Sequence, residues 1–374
     1  MHREEPNLFA RLTEGPAGQA RINGLLRCLL AAFVIAMFGL AVVAAKRLPE
    51  SVASVAEDGQ PTPPGAGARP VEIVAENGEY RIVRHAAGET KVPANPQRIC
   101  ALACADELLS IGVKPAAHSI NDGWFPDYLA GELDGVPWIP NVYGNTMPNM
   151  EAIVAVRPDL IITRATSRQT YLQLSQIAPV VVLLDHLENY RQRVRDVGAI
   201  VGRPEAAAAR VAWYETKVQA ARRILKERMG NQTLAFLRVR PRTYRLHGAD
   251  HHVWPVLYGD LQVKPPRIVT EKLWESTMSP EGLLQLDADY LIVAADSTQG
   301  SGRTLAELLG HPVWDRLPAV RAGKVHMISR YRHWADAGIL GRARAIDDVL
   351  QAVAPEAVDA VNAEADAEWR RNGA

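Results

Sequence analysis

The sequence predicts an α/β protein of two lobes joined by one long helix, with an apolar segment ahead of the folded part. Three observations carry this expectation. Short aliphatic stretches alternate with helical ones in both halves of the chain, the pattern of mainly parallel sheets. Between the halves, Val211, Tyr214, Val218, Ala221 and Leu225 recur at alternating spacings of three and four, bounded by Pro204-Glu205 and Gly230. A turn–helix–strand unit also occurs twice, once in each half.

In chain order, the first feature is residues 28–45, 18 consecutive apolar residues without a charge. That length is the lower edge of a spanning helix and long for a signal-peptide core. Arg21 and Arg27 before it and Lys46 and Arg47 after it weakly favour an N-terminus inside the cell. Cys28 as a lipid-anchor site is disfavoured, because Arg27 precedes it and no apolar run lies upstream. The Pro/Gly/Ala-rich stretch that follows reads as a tether. The expected organisation is 1–27, a cytoplasmic segment; 28–45, a transmembrane anchor or signal; 46–70, a flexible linker; 71–203, an N-terminal lobe; 204–229, the interlobe helix; 230–374, a C-terminal lobe and tail. The folded part is therefore expected outside the cytoplasm, anchored to the inner membrane or released to the periplasm.

The exported part opens with two alternating stretches around Asn77-Gly78, which predicts a hairpin with a type I′ turn. Strands are expected at 98–102, 159–163, 180–184, 233–238, 290–294 and 324–328, and a helix after Gly338. The interlobe helix of about 25 residues makes a rod of ~37 Å, so large hinge closure is not expected. With 374 residues there is room for two lobes. The 42 basic residues balance the 42 acidic ones, which argues against a nucleic-acid binder. The cysteines Cys28, Cys100 and Cys104 are too few for a disulfide framework and form no CxxC pair.

The repeated unit is the most informative pattern. Pro148-Asn149-Met150-Glu151 leads into a helical stretch and Asp159, and Ser279-Pro280-Glu281 leads into another and Asp289; each Glu lies eight residues before its Asp. An acid in a first helical turn is ordinary complementation of the helix dipole. Two matched copies, one per lobe, suggest acidic tips that dock on one basic partner. On PQRICAL, PNMEAIVAVRPDLIIT, LSQIAPVVVL, MSPEGLLQLDADYLIV, HPVWDRLPAVRAGKVHMI and HWADAGILGRARAIDDVL, residues 71–368 resemble the substrate-binding proteins of ABC importers for ferric siderophores, a group that includes cobalamin and haem binders. The resemblance implies the class III periplasmic binding protein fold, two Rossmann-like lobes joined by a single long helix. It implies an ABC permease with its ATPase as partner, Glu151 and Glu281 pairing with permease arginines, a monomeric protein, and a ferric chelate as transported ligand with no cofactor.

A ligand between such lobes meets the loops after the strands. Trp124, Tyr143, Asn145 and Arg164 on the first lobe, and Arg238, Tyr244, Arg332 and Trp334 on the second, are the candidate contacts, because guanidinium forks and flat rings suit a bulky anionic chelate. Each has an ordinary alternative as core cap or solvated surface. Hydroxamate binders of the group often carry arginine where Asn145 stands, so another chelate chemistry is open. His247, Asp250, His251 and His252 could be read as a metal site, although such clusters in loops are commonly just solvated, and binding of a bare metal ion ranks second to binding of a chelate. No GxSxG, P-loop or HExxH occurs and no catalytic residue is assigned, so the expectation is a binder, not an enzyme; the alternatives are a binder of another metal chelate such as cobalamin or haem, or a membrane-tethered ligand sensor.

Overall fold

The computed structural model describes residues 70–120, 127–140, 147–164, 167–183, 189–248, 251–269, 275–296, 298–328, 331–334 and 338–372. The expectations for segments 1–27 and 28–45 and for nearly all of 46–70 lie outside the described residues. Among the described residues, no helix is long and apolar enough to cross a membrane.

Strands β1 (Glu72–Glu76), β2 (Tyr80–His85) and β3 (Gly88–Pro93) form an antiparallel meander. Its first turn is not type I′, since neither Asn77 nor Gly78 has a positive φ. Instead the Asn77 side-chain oxygen accepts the N–H groups of Glu79 and Tyr80, each at 2.9 Å. A side-chain Asx turn thus replaces the left-handed backbone. The meander docks on the first lobe through the Thr90 hydroxyl, which donates to the Val180 carbonyl at 2.9 Å.

The first lobe contains β4 (Ile99–Ala101), α1 (Ala105–Ser110), β5 (Ala117–His118), α2 (Met150–Val156), β6 (Leu160–Thr163), α3 (Arg168–Leu174), β7 (Val180–Val182) and α4 (Tyr190–Val201). Its sheet runs β5-β4-β6-β7, all parallel. Every residue of β4, β6 and β7 is buried, as expected for short aliphatic strands covered on both faces. Helix α5 (Pro204–Met229) follows, 26 residues long with Pro204 in its first turn. The second lobe holds β8 (Leu234–Arg240), β9 (Thr243–His247), β10 (Glu275–Met278), β11 (Tyr290–Ala295), α6 (Ser301–Leu309), α7 (Pro318–Arg321), β12 (Val325–Ile328), α8 (Ile339–Val353) and α9 (Val358–Asn372).

The second sheet, ordered β10-β9-β8-β11-β12, is mixed. β8, β11 and β12 are parallel, while β9 pairs antiparallel with both β8 and β10. These two antiparallel strands are absent from the sequence expectation. Thr243–His247 alternates over only five residues beside Arg240-Pro241-Arg242, too short a run to outweigh those turn residues.

At ~39 Å, α5 is braced along its length. Trp213 donates to Asp366 at 3.1 Å, the buried Lys217 ammonium meets Asn362 at 2.6 Å and Asp347 at 2.8 Å, and Arg228 pairs with Glu356 at 2.5 Å. One apolar cluster runs from Leu108 and Leu160 of the first lobe through Val194 and Leu225 to Phe236, Ile292 and Trp334 of the second. The lobes therefore share a core.

Two polar junctions sit on that core. Asp260, at the end of a π-helical turn (Pro255–Asp260), accepts from the Tyr190 and Tyr214 hydroxyls and from Arg191 at 2.9 Å. The second junction is a helix cap supplied from the other lobe. Gly338, the N-cap residue of α8, has no side chain to cap with. Asp106 of α1 takes that place, accepting from the N–H groups of Leu340 at 3.1 Å and Gly341 at 3.3 Å. A Cβ on Gly338 would lie 2.3 Å from the Asp106 carboxylate, so only glycine admits this approach. Beside it the buried Glu107 pairs with Arg193 at 2.8 Å.

Burial, reinforced by Glu107, raises the Asp106 carboxyl from 3.8 to about 6, more than the helix N–H groups lower it. Between those values the folded protein holds a proton that the unfolded chain has released. This contribution is therefore fully present below about pH 4 and declines as pH rises through about 6. Asp106→Asn should flatten that decline, measured by chemical denaturation at a series of pH values. Asp106→Ala should lose ~0.5–2 kcal/mol of capping, and Gly338→Ala should destabilise at least as much. If all three variants unfold as the parent does across the pH range, the cap does not hold the lobes.

Candidate functional site

The strand ends that a ligand would meet are built differently in the two lobes. In the first, Arg164 directly follows β6 and is half-buried. Ser167, just ahead of α3, caps that helix by accepting the Thr170 N–H at 3.1 Å. Trp124, Tyr143 and Asn145 lie outside the described residues, as do Asp250 and the side chain of Arg332.

In the second lobe, Arg238 and Arg240 project from the end of β8, two apart and hence on one face. Directly opposite in β9, Arg245 stands across from Arg238 in the ladder. The Arg238 guanidinium lies over the Tyr331 ring at 4.4 Å and bonds Asp296 through Nε at 3.2 Å and Nη2 at 3.0 Å. Arg240 Nε reaches the same carboxylate oxygen at 3.0 Å. Behind them His247 stacks on His251 with ring centroids 3.5 Å apart, and His251 meets His252 edge-on at 5.1 Å.

These histidines are not a solvated loop cluster, because His247 and His251 are buried. Burial first, then His252, Arg238 and Arg245, push the His251 imidazole down to about 3; burial first, then His251 and the same neighbours, push His247 down further. Both are neutral at neutral pH, so the positive charge of this face is carried by guanidinium. Among the described residues, no group of three or more His, Cys, Asp or Glu side chains is arranged to hold a metal ion.

Two candidates are corrected. Tyr244 is only 4% exposed and packs with Val239, Leu246 and Leu291 in the outer core, because β9 is a strand and alternation turns it away from Arg245. Trp334 is 2% exposed, packs on Phe236 at 4.7 Å and donates its indole N–H to Asp348 at 2.7 Å. Both are core residues. Arg238 is buried and engaged inside the protein, whereas Arg240 is 30% exposed along its side chain. Sequence reasoning missed Arg245 and Asp296 as members of this cluster. The ladder between β8 and β9 brings Arg245 there, and that ladder follows from an unrecognised strand.

The repeated unit is realised twice with the same parts. Asn149 accepts the Ala152 N–H at 3.0 Å, and Ser279 at the matching place accepts the Gly282 N–H at 3.1 Å. Glu151 and Glu281 are exposed, and the burial pattern of 151–160 matches that of 281–290 position by position. Three residues beyond each glutamate stands an exposed apolar side chain, Val154 at 53% and Leu284 at 41%. Asp159 accepts the N–H groups of Gln97 at 2.7 Å and Arg98 at 2.9 Å, and Asp289 accepts from Thr233 N–H at 2.7 Å, so each Asp ties down the entry to the neighbouring parallel strand. The copies differ in one respect. After Glu151 the chain is α-helical, while Glu281–Gln285 is a 3₁₀ turn. The Glu281 carboxyl is held below its ordinary range by hydrogen bonds from its own backbone N–H and from Ser279.

The sequence profile of the periplasmic binding protein family matches residues 117–331. The chain is 28% identical over 289 residues to the probable siderophore-binding lipoprotein YfiY of Bacillus subtilis, covering 72% of this chain and 86% of that one. It is 28% identical over 273 residues to the achromobactin-binding periplasmic protein of Dickeya dadantii, covering 68% and 86%. Among solved structures, Staphylococcus aureus SirA complexed with staphyloferrin B superposes with a TM-score of 0.61 at 23% identity, over 72% of this chain and 97% of that one. That likeness bears on the fold, two α/β lobes and a long connecting helix. Because the profile spans more than half of the sequence and takes in strands of both lobes together with α5, the chain belongs to the periplasmic binding protein family.

Proposed function

We propose that this protein is the extracytoplasmic substrate-binding component of an ABC importer, capturing a ferric siderophore and delivering it to the membrane permease. It binds rather than catalyses, and the ferric chelate is its cargo, not a cofactor. The observation that carries the reading is the match to siderophore-binding relatives along 86% of their lengths. The second lobe's face of guanidinium, imidazole and aromatic side chains supports it, since charge-assisted bonds and ring packing suit an anionic chelate. Arg164, Arg238, Trp124, Tyr143, Asn145 and Arg332 belong to this proposed site. The apolar segment 28–45 is proposed to keep the protein at the outer side of the inner membrane.

Titrating the folded fragment 71–374 with ferric siderophores, cobalamin and haem, and following tryptophan quenching, tests the ligand class. Binding of a ferric siderophore at micromolar or lower concentration is expected. Binding of cobalamin or haem alone would overturn the siderophore assignment.

The tips test the transport role. Glu151 with Val154 and Glu281 with Leu284 present a carboxylate and an apolar side chain to a permease carrying basic pockets. Carboxylates desolvated against arginine at an interface contribute ~2–5 kcal/mol when truncated, far above an exposed pair. Converting both glutamates to Ala should leave folding and ligand affinity unchanged and abolish uptake in cells that depend on this protein. Normal uptake by the double variant would remove the docking role.

A further inference from the structure

The second lobe contains an arrangement in which one carboxylate serves two guanidiniums. β8 ends at Arg240, and Asp296 lies one residue past the end of the parallel neighbour β11, fixed there by its N–H bond to the Val239 carbonyl at 3.0 Å. Asp296 Oδ1 accepts from the Ser301 hydroxyl at 2.7 Å and the Thr298 N–H at 2.9 Å. Its Oδ2 takes both Arg238 and Arg240. Burial alone would raise this carboxyl, but those bonds and the Arg238 charge outweigh it and keep it below its ordinary range. Asp296 is thus ionised, its acceptor capacity is filled, and its single charge cannot neutralise two arginines.

The two arginines are not equivalent. Arg238 is buried, doubly bonded to Asp296 and stacked on Tyr331. Arg240 is partly exposed at the strand end and engages Asp296 through Nε alone; among the described residues its terminal Nη groups have no partner. A guanidinium anchored by Nε keeps its outer pair of donors in a fixed plane, the fork that matches two anionic oxygens.

We propose that Arg240 reads an anionic oxygen of the chelate, with Asp296 as its positioning residue, so that the protein selects ferric chelates of net negative charge over neutral ones. This rests on the siderophore-binding reading above. The shared chemistry is oxygen that carries negative charge in excess of that needed to balance the ferric ion, supplied by carboxylate or catecholate arms; in neutral tris-hydroxamates the hydroxamate charges only balance the iron.

The test titrates the fragment 71–374 with a ferric catecholate, a ferric carboxylate-type chelate and a neutral ferric tris-hydroxamate at low and high salt. The parent should prefer the anionic chelates and lose affinity for them as salt rises. Arg240→Gln should weaken the anionic chelates ~10- to 150-fold, the effect of one charge-assisted hydrogen bond, and leave the neutral chelate within about two-fold. Asp296→Asn makes the face more positive, so an effect of bulk charge would tighten anionic binding, whereas loss of positioning weakens it. Thermal melts of each variant report folding separately. Equal affinity of the parent for neutral and anionic chelates, or Arg240→Gln binding them as the parent does, overturns the proposal while the siderophore reading stands. Tighter anionic binding by Asp296→Asn removes the positioning role of Asp296. If no ferric chelate of any charge binds, the siderophore reading fails and the charge selection with it.

Discussion

A carboxylate of one lobe capping a helix of the other is the contact on which the relation between the lobes depends. Helix α8 begins at a glycine with no capping side chain, and Asp106 supplies the missing acceptor from α1. Ordinary N-caps are local, two or three residues from the groups they satisfy. Here the cap links positions more than 230 residues apart. Separating the lobes at this point would strand two helix N–H groups and expose a shared apolar core. Asp260 adds a second tie, gathering Tyr190 and Arg191 of α4 with Tyr214 of α5. Such a junction favours a fixed pair of strand edges over hinge closure, and a ligand that binds preformed edges has less ordering to oppose it.

The same economy governs the tips. In each copy of the repeated unit, an Asp at the strand entry satisfies backbone N–H groups of the adjacent parallel strand, and an Asn or Ser caps the preceding turn. Those bonds hold the turn, and the turn holds the glutamate at the surface. Exposure of Val154 and Leu284 at matching positions is then a consequence of the unit, since Ile153 and Leu283 beside them are wholly buried. A duplicated surface of carboxylate and apolar side chain suits a partner that presents two related pockets.

Much of this architecture was legible in the residues themselves. The apolar spacing of Val211, Tyr214, Val218, Ala221 and Leu225 marks the buried face of α5, and all five are buried. The Glu-to-Asp repeat was visible because it consists of short-range spacings. What was not legible depends on pairing across the chain. β9 and β10 are short and gain their stability from the ladder, so Tyr244 passed for a cleft residue and Arg245 went unnoticed. The Asn77-Gly78 turn signal was correct in place and wrong in type, because a side-chain acceptor satisfied the backbone instead. Asp106 and Asp260 carry no local signature, as their partners lie far away in sequence, in the other lobe or on α5.

The histidines behind the arginines show why charge on this face is better assigned to guanidinium than to imidazole. A protonated His247 or His251 would lie buried among Arg238 and Arg245, and burial together with those charges disfavours it strongly. The burial of Arg238 in the same surroundings is compensated by Asp296 and the Tyr331 face. The stacked imidazoles then serve as neutral walls that position the β9 end of the face without adding to its charge. On the proposed site, a face charged in this way would keep its attraction for an anionic ligand across the pH range in which free histidine titrates. Capture would then depend on salt through the arginines and only weakly on pH through the histidines, the opposite of what a histidine-lined anion site would show.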